Sequence, residues 1–374
     1  MKKLIIALFI LLLFVSKQKL MAFEKVTIDY SACYSMFNVL NDMKNGKSLE
    51  QINVKLDSLL NSEAYQVMFS HYNRSWRPNH LPKDVFKRMI LSLHFENLYK
   101  PGENERADQM LDYWKVFYSN EAIYKNKLQL LESYEINKMI LIAIETAESW
   151  LPPEMKIDNL RFYVLPHGGS GGFKINNSTA YDLFKLEEDK KEFQDLITHE
   201  LHHFGLNIPI PELATASDTL AFTFLRFFIG EGTALRFINN APGGLVPKIN
   251  NKKTTGFNYL GLHQLWEEYT CEEHQIFEKF VTTINDICIG KMDVNQFQNE
   301  IRTYWSTGIM GRQYFLGSEI IGAIYIGLGK DACFEVMTNP IIMLEYYNLA
   351  RQKKPKLLNE CPKIPNDILR LINT

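Results

Sequence analysis

Two histidines four residues apart, with a glutamate directly after the first, limit what this chain can fold into more than any other stretch. They lie in Asp195-Leu196-Ile197-Thr198-His199-Glu200-Leu201-His202-His203-Phe204-Gly205. Residues four apart share one face of a helix, so on a helix His199 and His203 can turn both imidazoles to a single ion. The apolar residues agree, since Phe193, Leu196, Ile197, Leu201 and Phe204 recur at helical spacing and Gly205 stands where a helix would stop. Two neutral imidazoles supply about half of a tetrahedral zinc shell, and Glu200, one step round, reaches a water beside the ion. The fold must therefore bring a third protein donor to this helix and leave one position open. His202, three residues from His199, is the alternative to His203; the four-residue offset matches the zinc geometry and favours His203.

The third donor is expected at Glu231, in Phe227-Phe228-Ile229-Gly230-Glu231-Gly232-Thr233-Ala234. From Leu220 to Ile238 the apolar residues lie almost all round, which marks a buried helix, and an isolated carboxylate there is unfavourable unless a cation meets it. Arg226 and Arg236 are each five residues away, off the spacing of three or four that would pair them with Glu231. Gly230 and Gly232 remove side chains beside the carboxylate, which is expected to let this helix approach the one carrying the histidines. Asp218 and Glu212 are the alternatives, in a polar, turn-rich stretch after Pro209 and Pro211 where an acid stays solvated. The extended metzincin pattern fails on its spacing, because Leu206 and Pro209 occupy the places of its glycine and third histidine. Asp195, one turn before His199, is a candidate to orient a ligand imidazole.

His199-Glu200-x-x-His203 followed by Glu231-Gly232-x-Ala234 resembles the gluzincin metallopeptidases, in particular uncharacterised bacterial zinc-dependent peptidases with a Glu-Gly-x-Ala third-ligand motif. The resemblance covers the middle third of the chain. It implies His199, His203 and Glu231 as zinc ligands and Glu200 as catalytic base. It departs from the neprilysin type, which has an acid four residues after the ligand glutamate, where this chain has Leu235. The chemistry that follows is metal-assisted peptide hydrolysis, with Tyr314 or His263 as the second donor to the developing oxyanion.

The rest of the chain sets the context. Met1-Lys2-Lys3 precedes the uncharged apolar run Leu4 to Val15, which fits a signal-peptide core and is too short to span a bilayer. Residues 1–22 are therefore expected to be a leader, and the protein to be exported to the periplasm, cell envelope or medium. An uncleaved leader would give weak membrane association. The net charge of -2 over 374 residues, with lysine and arginine scattered, argues against nucleic acid as a partner and leaves a peptide or protein substrate. Five cysteines lie far apart without paired zinc-site spacing, and no pairing follows from the sequence.

Residues 23–150 read as a helical region. Tyr34, Phe37, Leu40 and Met43 recur at threes before Gly46, Ser48 with Gln51 forms a capping box, and further helices are expected over 82–98, 107–118 and 136–150. His71, His80 and His94 lack metal-ligand spacing. Leu151-Pro152-Pro153 marks a boundary, with the catalytic region expected over 151–374. Leu160 to Leu165 reads as a strand at a sheet edge, where a peptide substrate could add through backbone hydrogen bonds. It leads into Pro166-His167-Gly168-Gly169-Ser170-Gly171-Gly172, a loop with too much glycine to hold fixed packing and without the spacing of a phosphate cradle. The glycines from Gly317 to Gly329 imply close helix packing or breaks.

The expected fold is mainly α within the α+β class: a helical bundle with a small sheet edge beside the histidine helix. The expected function is that of an exported zinc peptidase. The alternatives are a non-enzymatic cell-envelope binding protein and a zinc amidase acting on a non-peptide substrate.

Overall fold

The computed structural model describes residues 27–372 apart from 75–78, 135, 158–159, 186–188, 209–210, 212–214, 250–261 and 308–309. The expected leader and Glu212 lie outside the described residues. The chain is mainly helical with one four-stranded sheet, an α+β fold. It divides into two compact units, one formed by Met1–Ile142 with Ile157–Gln194, the other by Ala143–Lys156 with Asp195–Thr374.

The first unit holds β1 (Thr27–Asp29), α1 (Ser31–Lys44), α2 (Leu49–Leu60), α3 (Glu63–Tyr72), α4 (Lys83–Leu91), α5 (Glu105–Ser119), α6 (Glu121–Ser133) and most of α7 (Ile136–Glu148). The strands β2 (Arg161–Leu165), β3 (Gly172–Ile175) and β4 (Ser178–Asp182) follow. Local signals account for several boundaries. Phe37, Leu40 and Met43 are buried along α1, while Tyr34 stays exposed, and the chain turns at Gly46 with φ +74°. The Ser48–Gln51 box is formed in both directions, with Gln51 N donating to Ser48 Oγ and Ser48 N to Gln51 Oε1. Helix α4 ends at Leu91, short of the expected 98.

The sheet order is β1-β2-β4-β3, with β1, β2 and β4 parallel and β3 antiparallel to β4. This corrects the reading of residues 160–165 as an edge. Over Arg161–Tyr163 strand β2 is paired on both sides, Tyr163 with Asp29 and with Ala180, so that stretch of backbone is closed to an added peptide strand. A hydrophobic run of five or six residues fits an interior parallel strand as well as an edge, and only pairing distinguishes them.

The glycine-rich loop after β2 is likewise fixed rather than loose. Asp182, fully buried, accepts hydrogen bonds from the backbone N–H of His167 (3.1 Å), Gly168 (2.8 Å) and Phe184 (3.2 Å). Tyr72 Oη accepts from Ser170 N at 2.9 Å, and Trp114 Nε1 donates to His167 O at 3.1 Å. A Cβ on Gly169 would fall 1.7 Å from Tyr72 Oη, so this glycine permits a close approach of backbone to side chain.

The second unit holds α8 (Lys190–Gly205) from Asp195 on, α9 (Ala216–Thr233), α10 (Leu262–Cys271), α11 (Glu273–Cys288), α12 (Val294–Glu300), α13 (Arg312–Leu328), α14 (Lys330–Thr338) and α15 (Met343–Lys353). Two short helices, Pro355–Leu358 and Asn366–Ile372, end the described chain. Trp150 ties its segment to this unit by stacking on Phe237 at 4.3 Å.

Helix α9 forms the middle of the unit. Its Phe224 and Phe228 pack with Phe280 of α11 and with Trp305. Each buried phenylalanine contributes roughly 1.5–3 kcal/mol. Gly232 does not face the histidine helix, as its place beside Glu231 suggested. It meets α13 instead, where a Cβ would lie 2.2 Å from the carbonyl carbon of Gly317, and a Cβ on Gly317 would lie 2.3 Å from Phe228 O. Gly322 and Gly327 serve α13 in the same way against the Arg236 guanidinium and Ala350, and the break comes at Gly329, φ +93°. All five cysteines are free thiols.

Candidate metal centre

Asp189 precedes helix α8, and its side chain accepts from the N–H of Lys191 and Glu192, both at 2.9 Å. Phe193, Ile197 and Leu201 are fully buried along one face. Next to that stripe, His199, Glu200 and His203 are half-buried. Helix α9 begins with a reciprocal box in which Thr215 Oγ1 accepts from Asp218 N and Asp218 Oδ2 from Thr215 N. That role, at the start of the helix, occupies the carboxylate of Asp218, the alternative to Glu231.

At the end of α9, Glu231 meets the two histidines. His203 Nε2 lies 2.9 Å from His199 Nε2, and Glu231 Oε2 lies 3.0 Å from His203 Nε2 and 3.6 Å from His199 Nε2. Among the described residues this is the one cluster of three or more His, Cys, Asp or Glu side chains that could hold a metal ion. His71 stacks on Phe173 at 4.0 Å, and His80 and His94 are exposed.

The donor set fits zinc. Bonds of about 2.0–2.1 Å in a tetrahedral shell put neighbouring donors about 3.3 Å apart, which the three separations bracket. Glu231 Oε2 is buried and accepts no hydrogen bond, so a cation at the centre would satisfy it. Burial alone would raise the Glu231 carboxyl, but the facing imidazoles of His203 and His199 outweigh it and hold it well below the carboxylate range. Burial raises Glu200, with His203 and His199 drawing it back down and Glu231 pushing it further up.

His202 makes its contact elsewhere, with the Trp150 backbone. It is fully buried, its Nε2 lies 3.2 Å from Trp150 O, and burial, with His203 adding to it, takes its pKa down to about 3. His199 Nδ1 lies 2.5 Å from Asn239 Oδ1, so the ring donates there and presents Nε2 as a lone pair to the cluster. Asn239 is thus placed to orient His199. A single π-helical turn, Ala234–Ile238, delivers it: Asn239 N bonds to Ala234 O at 3.1 Å, five residues back. Nothing in the sequence flagged Asn239 beyond its place as a polar residue ending an apolar helix.

A cleft of about 290 Å³ opens beside the cluster, walled by His203, Leu206 and Ile208 on one side and by Thr223, Arg226, Phe227, Gly230 and Glu231 of α9 on the other. Tyr314, half-buried in the first turn of α13, and exposed His263 are not among the residues that line it.

Two imidazoles and a carboxylate, presented by two helices around one point, form a cluster that could hold a metal ion. The chain belongs to the family described as "Putative zinc dependent peptidase (DUF5700)", whose model matches residues 56–356. No curated protein and no solved structure matches the chain significantly. Family description and donor set agree on zinc as the cofactor.

Proposed function

We propose that this protein is a gluzincin-type peptidase, exported from the cytoplasm, in which His199, His203 and Glu231 hold zinc and Glu200 is the catalytic base. The convergence of Glu231 on the two imidazoles carries the reading. Zinc in such a shell acidifies water and polarises a carbonyl. Glu200 accepts the proton of the attacking water on its carboxylate and returns it to the leaving amine nitrogen. Its burial favours the protonated form midway through this exchange. Asn239 holds His199 in the tautomer that leaves Nε2 free. Leu206, Ile208 and Phe227 give the substrate an apolar wall that excludes water. Tyr314 is the proposed second donor to the oxyanion.

An intact base beside the cluster favours an enzyme over a binding protein, which has no use for one. The test pairs zinc analysis of purified protein with hydrolysis of a mixed peptide library by wild type, Glu200→Gln and Tyr314→Phe. Stoichiometric zinc in all three is expected. Cleavage should be abolished in Glu200→Gln and reduced about 10²- to 10³-fold in Tyr314→Phe. Retained zinc with undiminished cleavage in Glu200→Gln would eliminate the proposed base. Export rests on the Leu4–Val15 run and is checked by N-terminal sequencing of protein from cell fractions.

A further inference from the structure

Helix α9 is buried nearly all round from Leu220 on, and its half-buried positions are Thr223, Arg226, Phe227, Gly230 and Glu231. All five line the cleft beside the cluster. They follow one another at i, i+3, i+4, i+7 and i+8, a single helical stripe running away from the ligand carboxylate. Leu206, Ile208 and Phe227 give the wall its apolar part, and Arg226 is the arginine or lysine among the lining residues.

Among the described residues the Arg226 guanidinium makes no hydrogen bond or ion pair. Burial lowers its pKa with no anion nearby to restore it. A cation partly removed from water without a partner is costly, and a cleft is where a ligand can repay that cost. Glu231, five residues on, is committed to the imidazoles.

We infer that Arg226 binds a carboxylate of the peptide substrate, and that the enzyme prefers substrates carrying one within about two residues of the cleaved bond. The proposal rests on the peptidase reading above and names its substrate class. Five helical residues rise about 7.5 Å, and an extended peptide advances about 3.3 Å per residue, so the stripe from Glu231 to Arg226 spans roughly two substrate residues. A guanidinium fork suits a carboxylate, which it grips through two parallel hydrogen bonds. The carboxylate can be the chain terminus, making the enzyme release one or two C-terminal residues, or an Asp or Glu side chain.

The experiment uses matched fluorogenic peptides that differ only in a free or amidated C-terminus, or in Glu or Gln at each position flanking the cleaved bond. Hydrolysis is measured for wild type, Arg226→Gln and Arg226→Lys. Binding of the same peptides is measured by fluorescence anisotropy with wild type and Arg226→Gln, each also carrying Glu200→Gln. Wild type should favour the carboxylate member of a pair by roughly 10- to 100-fold in kcat/KM and in affinity. Arg226→Gln should bring that ratio close to unity, and Arg226→Lys should keep part of it. The pair that responds identifies terminal or side-chain carboxylate. A ratio near unity in wild type, or one that Arg226→Gln leaves unchanged, overturns the proposal. If wild type cleaves no peptide, the peptidase reading fails while the anisotropy ratios still decide Arg226. Circular dichroism melting confirms that the variants are folded.

Discussion

Asn239 shows how much a single side chain can decide at the site. A neutral amide oxygen at 2.5 Å from His199 Nδ1 fixes the ring's tautomer and its rotation together. Without that acceptor the imidazole can turn, or carry its proton on the nitrogen that should face the ion. Asn239→Leu should therefore bind zinc about 10- to 100-fold more weakly, and Asn239→Asp, which keeps an acceptor oxygen, should bind close to wild type. Competition with a chromogenic chelator reads both, and equal affinity of Asn239→Leu and wild type would remove Asn239 from this role. His199, His203 and Glu231 were legible because residue type and helical offset are written in the chain. Asn239 was not, because its partner lies forty positions away and a π-helical turn sets its direction.

The crossing of α9 and α13 governs where Glu231 stands, and it depends on two glycines in contact. A methyl group on Gly232 would meet the Gly317 backbone, one residue from the Glu231 carboxylate. Gly232→Ala should destabilise the protein by about 1–3 kcal/mol or more and weaken zinc binding with it. Gly230→Ala meets no atom within 4 Å and should be neutral or stabilising by up to about 1 kcal/mol, since alanine favours a helix over glycine. Urea unfolding of the two variants separates them; a Gly232→Ala protein as stable as Gly230→Ala would mean that the crossing does not depend on Gly232. The same contrast explains an incomplete reading of the sequence. Glycine next to Glu231 signals a close approach but does not say which neighbour approaches. Strand β2 poses the equivalent problem, with an apolar run that does not reveal how many sides are paired.

Over the whole molecule, the family match spans residues 56–356 and so draws on both compact units, whereas every donor of the cluster belongs to the second. Zinc that binds the folded state should stabilise the unit that supplies its ligands. Chelation is expected to raise hydrogen exchange in His199–Gly205 and in α9 through Asn239, while leaving α1, α2 and strands β2 and β4 unchanged. Mass spectrometry of the exchanged protein reads the pattern. Equal loss of protection in both units would mean that the metal acts on the chain as one cooperative body. Among the described residues no helix is long and apolar enough to cross a membrane.

The sequence by itself determined what depends on near neighbours: the helix that pairs His199 with His203, the buried character of α9, the Ser48–Gln51 cap and the mainly helical class. These follow from periodicity and local hydrogen bonding, which act over a few residues. Tertiary structure alone decided which distant groups meet: Asn239 with His199, Gly232 with Gly317, Asp182 with the glycine loop, and Arg226 with the cleft. Such meetings are set by how buried surfaces fit together, and the order of residues along one helix or strand does not specify its neighbour.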